Sequence, residues 1–169
     1  SSLASGASQT NNFNYTCGTS NATFTGTADL NGVVSETNEG NNQLSNVLDC
    51  IPKPDLIISN LTLSQSSAFE GETVTVTVVT KNNGAGTAGA STTRVANGGN
   101  HDFNVSSLAS GASQTNNFNY TCGVSDANFT ATADVLGAVS ETNEANNQLS
   151  NTLDCIPKPD LIISNLTFS

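Results

Sequence analysis

The sequence predicts an all-β chain of antiparallel sandwiches in tandem, and three observations carry that reading. Residues 1–64 return as residues 106–169 with 54 of 64 positions identical, an internal period of 105. Within one period apolar and polar residues alternate with a spacing of two, and no run shows the 3.6-residue period of a helix. Turn signals such as Asn83-Gly84, Asn97-Gly98-Gly99 and Ser110-Gly111 separate the alternating runs.

One intact unit spans residues 54–157, large enough to bury its own core. It is expected to hold seven strands, lettered A to G in chain order. Residues 73–80 alternate Thr and Val and place Val74, Val76 and Val78 on one face of strand B. Phe118, Tyr120 and Cys122 share a face in strand E, as do Phe129, Ala131, Ala133 and Val135 in strand F, and Leu149, Leu153 and Cys155 in strand G. Residues 56–63, 91–96 and 102–108 supply A, C and D. In strand A the apolar parity slips between Ile58 and Leu61, which predicts a bulge or a change of sheet near Ser59 and Asn60. Seven such strands predict an immunoglobulin-like antiparallel sandwich. Residues 1–53 then read as strands E to G of one repeat and residues 158–169 as the first strand of another. Alone, these pieces would leave apolar faces uncovered, so the expectation is a longer array.

Only 11 % of residues are charged and the net charge is -10, which leaves no basic cluster for nucleic acid. Asn, Ser and Thr make up roughly 40 % of the chain, a composition suited to a hydrated surface protein. No apolar run is long enough for a membrane-spanning helix. Cys17 and Cys50 are 33 residues apart, as are Cys122 and Cys155, so one disulfide per repeat is expected. Zinc would want close ligand pairs instead. Disulfides imply an oxidising compartment, hence secretion or the cell surface. With E and G ending at the same end of the sandwich, the bridge is expected across its interior, worth about 3–4 kcal/mol in the chain-entropy view. The connector of residues 156–160, Ile-Pro-Lys-Pro-Asp, carries two prolines that limit its freedom, so consecutive units are expected to sit in nearly fixed orientation.

Four segments together resemble the CARDB module, the cell-adhesion-related domain of bacterial and archaeal surface proteins. They are PDLIISNL, TVTVTVVTKNNGAGTAG, SSLASGASQTNNFNY and TATADVLGAVSETNEANN. The most specific parts are Asn82-Asn83-Gly84, residues 108–111, and Asp134 followed by Glu141, Asn143, Glu144, Asn146 and Asn147. The resemblance implies an immunoglobulin-like sandwich used as a repeated extracellular spacer or adhesive module. It implies no enzymatic activity, and the cysteine pair is an addition to the usual pattern.

Residues 134–147 concentrate the oxygen ligands that calcium prefers, with Asp134, Glu141 and Glu144 as candidate carboxylates. The alternative is a polar hairpin whose side chains satisfy turn backbone groups, favoured because Asn31 in one copy is Leu136 in the other. No other cofactor is suggested. Glycosylation sequons stand at Asn14, Asn21, Asn60, Asn104, Asn119, Asn128 and Asn165. The sequon at Asn21 moves in the second copy to Asn128, on the same strand face. His101 beside Asp102 reads as a solvated pair in a turn, and no nucleophile or phosphate-loop motif occurs. Lys81, at a strand end, is poorly placed for an isopeptide bond. The expected function is structural: an extracellular fibre, stalk or matrix filament whose partners are copies of itself and cell-surface or matrix components. The alternative is a binding module for glycans or a surface receptor. Most of the seven Phe and two Tyr take core-facing positions, which leaves few for a sugar platform.

Overall fold

The computed structural model describes residues 3–168, and the chain divides into two compact units, Ser1–Pro52 and Lys53–Ser169. In the first unit, strands β1 (Ala22–Thr27) and β2 (Gln43–Leu48) pair as an antiparallel hairpin, with a 3-10 turn at Glu39–Asn41. A disulfide joins Cys17 to Cys50. Residues 12–17, which repeat the expected strand E of residues 117–122, form no strand.

The second unit contains β3 (Leu56–Leu63), β4 (Ser67–Phe69), β5 (Thr73–Asn82), β6 (Ser91–Ala96), β7 (Asn100–Val105), β8 (Ser113–Thr121), β9 (Ala127–Thr132) and β10 (Gln148–Ile156). One sheet has the order β3-β5-β8 and the other β4-β10-β9-β6-β7. The seven expected strands A to G correspond to β3, β5, β6, β7, β8, β9 and β10. The expectation of seven antiparallel strands needs correction, because β4 is an eighth and it pairs with β10 in parallel. After β3 the chain crosses from the three-stranded sheet to the edge of the other beside β10 and runs in the same direction as β10. Three residues, Ser67-Ala68-Phe69, are too few to show a period. The parity slip in β3 is a register shift between Ile58 and Asn60, which returns Leu61 to the core side.

The core lies between the two sheets. Val74, Val76 and Val78 of β5 are fully buried against Leu56, Val95, Phe129 and Leu153. Each branched side chain packs well on a pleated surface while the intervening threonines face outward. Thr80 and Thr93 are also buried, and their hydroxyls bond each other at 2.6 Å between the sheets, so neither is left without a partner. Phe118 and Tyr120 of β8 both meet Phe129 edge-on, at 6.3 and 5.1 Å between ring centres. Of residues 158–169, expected as the first strand of another repeat, 158–168 form no strand and Ser169 lies outside the described residues.

Candidate functional site

Strand directions give the intact unit two poles. β3 starts, β5 ends, β8 starts and β10 starts at the entry pole, and the reverse ends of these strands make the exit pole. The three most specific segments of the family resemblance, residues 82–84, 108–111 and 134–147, converge on the entry pole. Asn82 is fully buried there and uses its whole amide. Its Oδ1 accepts from Asp55 N at 3.1 Å and Gly84 N at 3.0 Å, while its Nδ2 donates to Gly86 O at 2.7 Å and Leu108 O at 2.9 Å. With all four valences met, the residue ties the incoming chain to two loops at once. Gly84 sits so close to that chain that a Cβ would lie 2.4 Å from Asp55 N and 2.5 Å from Pro54 C. Only glycine leaves room for Pro54 and Asp55 to pass.

Residues 134–147 complete the same pole. Asp134 lies in the left-handed region at φ 42 and accepts from Ala138 N at 3.0 Å and Val139 N at 2.8 Å. Glu144 accepts from Glu141 N at 3.0 Å, and Asn143 from Ala145 N at 3.0 Å. Glu141 reaches across to the first strand and accepts from Leu56 N and from Asn147 Nδ2. Asn146 donates to Asp55, and Thr142 N donates to Pro54 O at 2.8 Å. Burial, reinforced by the neighbouring Glu144 and Asp134 charges, holds the Glu141 carboxyl above the usual carboxylate range, against the pull of its Leu56 and Asn147 donors. The three candidate calcium carboxylates are thus engaged by backbone and amide donors. No group of three or more His, Cys, Asp or Glu is placed to hold a metal among the described residues.

At the exit pole a disulfide joins Cys122, just past β8, to Cys155 in β10, with 5.6 Å between Cα atoms, so it bridges the two sheets. The backbone of Cys155 is held by Asp126 Oδ1 at 3.2 Å, and in the first copy Cys50 N is held in the same way by Asn21 Oδ1 at 3.1 Å. Asp and Asn offer the same acceptor, so the position kept its bond when the sequon moved to Asn128. All seven sequon asparagines are exposed. His101 departs from the solvated-turn expectation. It lies in β7, half-buried, with its ring stacked on Phe118 at 3.8 Å, and Asp102 instead forms a two-point ion pair with Arg94 across the β6–β7 ladder. The periodicity of residues 102–108 missed the first two residues of this strand because Asn100 and His101 follow directly on a glycine turn.

The intact unit is thus a β-sandwich whose loops knit the entering chain at one pole and whose disulfide closes the other. The chain belongs to the CARDB family, whose model matches residues 53–151. It is similar to the crystal structure of a CARDB domain from Pyrococcus furiosus in complex with di-metal ions, at 24 % identity and a TM-score of 0.57 over 63 % of this chain and 96 % of that one. The solution structure of the same domain matches at 22 % identity with a TM-score of 0.51, over 63 % and 96 % of the two chains. A solution structure of residues 272–376 of a "putative cell surface protein" from Methanosarcina acetivorans matches at 24 % identity, TM-score 0.50, over 62 % and 93 %. At these identities the likeness establishes the fold. No curated protein matches the chain.

Proposed function

We propose that the chain is part of a secreted or cell-surface structural protein in which near-identical CARDB units follow one another as a fibre, stalk or matrix filament. The observation that carries this reading is the repeat itself, 54 identical positions in 64. A binding array diversifies its loops, whereas a mechanical array needs equal joints. The Methanosarcina relative named for the cell surface and the two disulfides agree with an exported location. No helix among the described residues is long and apolar enough to cross a membrane. Electron microscopy of the native material tests the reading. Uniform filaments with an axial repeat of one or two domains support it, and isolated monomers that bind a glycan array favour the adhesive alternative.

Two local readings accompany this one. Residues 134–147 form a structural hairpin, not a calcium loop, because its carboxylates already hold the turn. Calcium added to chelated protein should leave the melting temperature unchanged, and a rise of several degrees would restore the calcium reading. The exposed sequons Asn60 and Asn119 on one sheet and Asn104 and Asn128 on the other are sites for N-linked glycans on both outer faces. A mass ladder collapsed by deglycosylation supports this, and unmodified peptides covering every sequon would end it.

A further inference from the structure

The tripeptide Lys-Pro-Asp occurs one period apart, as residues 53–55 and 158–160, and the structure shows it docked from opposite sides. At residues 53–55 the carbonyl side is held at the entry pole. Lys53 O accepts from Gly86 N at 3.0 Å, Pro54 O accepts from Thr142 N at 2.8 Å, and Asp55 O accepts from Asn83 N at 2.7 Å. Lys53 Nζ also donates to Ser140 Oγ at 3.2 Å. At Lys158 the amide side is held at the exit pole. Ile156 O accepts from Glu70 N at 2.9 Å, and Lys158 N donates to Glu70 Oε2 at 3.4 Å. Between these two anchors stands only Pro157, with a fixed φ and no N–H to satisfy.

We propose that where two intact units follow one another, a single Lys-Pro-Asp segment is docked on both at once. The turn of Glu70 and Gly71 in the unit before would hold its amide side, while the loops of residues 82–86 and 140–142 in the unit after hold its carbonyl side. The partner is a second copy of the same unit in the same chain, so this deepens the tandem-array reading and rests on it. The amide and carbonyl of one lysine belong to adjacent peptide groups, whose Cα atoms are about 3.8 Å apart. The two poles must therefore meet at the lysine, leaving no free linker between them. Ile156 O, Lys158 N and O, Pro159 O, and Asp160 N and O all have a partner in this arrangement. Gly71 takes φ 82 in the exit turn, a backbone conformation that other residues rarely adopt. Consecutive units are clamped in one orientation.

The test uses a chain with residues 53–157 written twice and closed by residues 158–169, each copy carrying its own core and disulfide. One copy at a time is isotopically labelled, and residual dipolar couplings are measured. Both copies should report one shared alignment tensor. Inserting Gly-Gly-Ser after Pro157 should give two different tensors, and Glu70→Ala should move the chain toward that result while Glu70→Gln stays close to the original. Unequal tensors in the unmodified tandem, matching the insertion variant, would overturn the proposal, as would a Glu70→Ala chain that stays fully coupled. If Glu70→Ala fails to fold, the insertion comparison still decides. Filaments in native material together with uncoupled units would defeat this inference and leave the structural reading standing. Coupled units without filaments would do the reverse.

Discussion

Residues 8–16 and Ser113–Thr121 share one sequence, SQTNNFNYT, yet the second copy is strand β8 and the first is no strand at all. The same contrast separates β3 from residues 161–168: Leu56 is 0 % exposed and its counterpart Leu161 is 93 % exposed. The hairpin behaves differently. β1 and β2 form in the first unit as β9 and β10 do in the second, and their turns share most of their backbone-to-side-chain bonds. Asp29 at φ 40 accepts from Val33 N at 2.9 Å and Val34 N at 2.8 Å, as Asp134 does one period later. Glu36 N donates to Glu39 at 2.9 Å and Gly40 N to Asn38 at 3.0 Å, repeating the bonds of Glu141 and Ala145. The difference lies in where the partners are. The hairpin finds its hydrogen bonds within about twenty residues of itself, whereas β8 needs β5, some forty residues away, and β3 needs β5 and the sandwich interior. Even without a ladder, Phe13 and Tyr15 keep their contacts with Phe24, at 5.4 and 4.9 Å, so the aromatic cluster outlasts the strand.

Hydrogen exchange offers the largest contrast. The amides of β8 that face β5 should exchange at least about a thousandfold more slowly than the same residues at 8–16, since they open only with the unit as a whole. Comparable rates in the two copies would break the comparison. Next, Leu56→Ala should destabilise the intact unit by about 2–5 kcal/mol in denaturant melts, and Leu161→Ala by nothing measurable. Equal losses would mean that residues 161–168 are packed after all. Replacing Cys122 and Cys155 by serine should lower the stability of the intact unit by about 3–4 kcal/mol, while the same change at Cys17 and Cys50 should leave its main transition in place.

The smallest effect is a pH dependence. Glu141 is raised in the folded state above its usual value of 4.5, so the folded unit binds this proton more tightly than the unfolded chain. Stability from this group is present below that value and declines as pH rises through the folded one. Glu141→Gln should flatten that decline in melts taken across the mildly acidic range, and an unchanged slope would show that the carboxyl is not the group responsible.

These contrasts also show what could be read in advance. β5 and β6 were legible because one face is buried and the other wet, which writes a period of two into the residues. The family motif at Asn82, Asn83 and Gly84 was legible as a pattern, but its reason was not. Asn82 ends a strand of alternating residues, and nothing local shows that Pro54 and Asp55 pass over the neighbouring glycine. β4 was hidden because its partner, β10, lies more than eighty residues away and three residues carry no period. Residues 12–17 and 161–168 carry the alternation of β8 and β3 without forming strands, because the strands that pair with β8 and β3 in the intact unit have no second copy among the described residues. The calcium candidates Asp134, Glu141 and Glu144 lie together on one loop. Composition could not tell a ligand from a cap, because a carboxylate oxygen serves either.

The bridge from Cys122 to Cys155 also governs how far the chain can be drawn out. A pull along the backbone that strips β3, β4 and β5 from the sandwich stops paying out length at Cys122 and resumes at Cys155, because load passes directly through sulfur. The segment they close, a sequence separation of 33, would otherwise lengthen the chain by roughly 110 Å. They stay looped instead, and β9 and β10 keep their ladder out of the line of force. An overstretched unit would therefore retain a folded hairpin around which the rest could rewind.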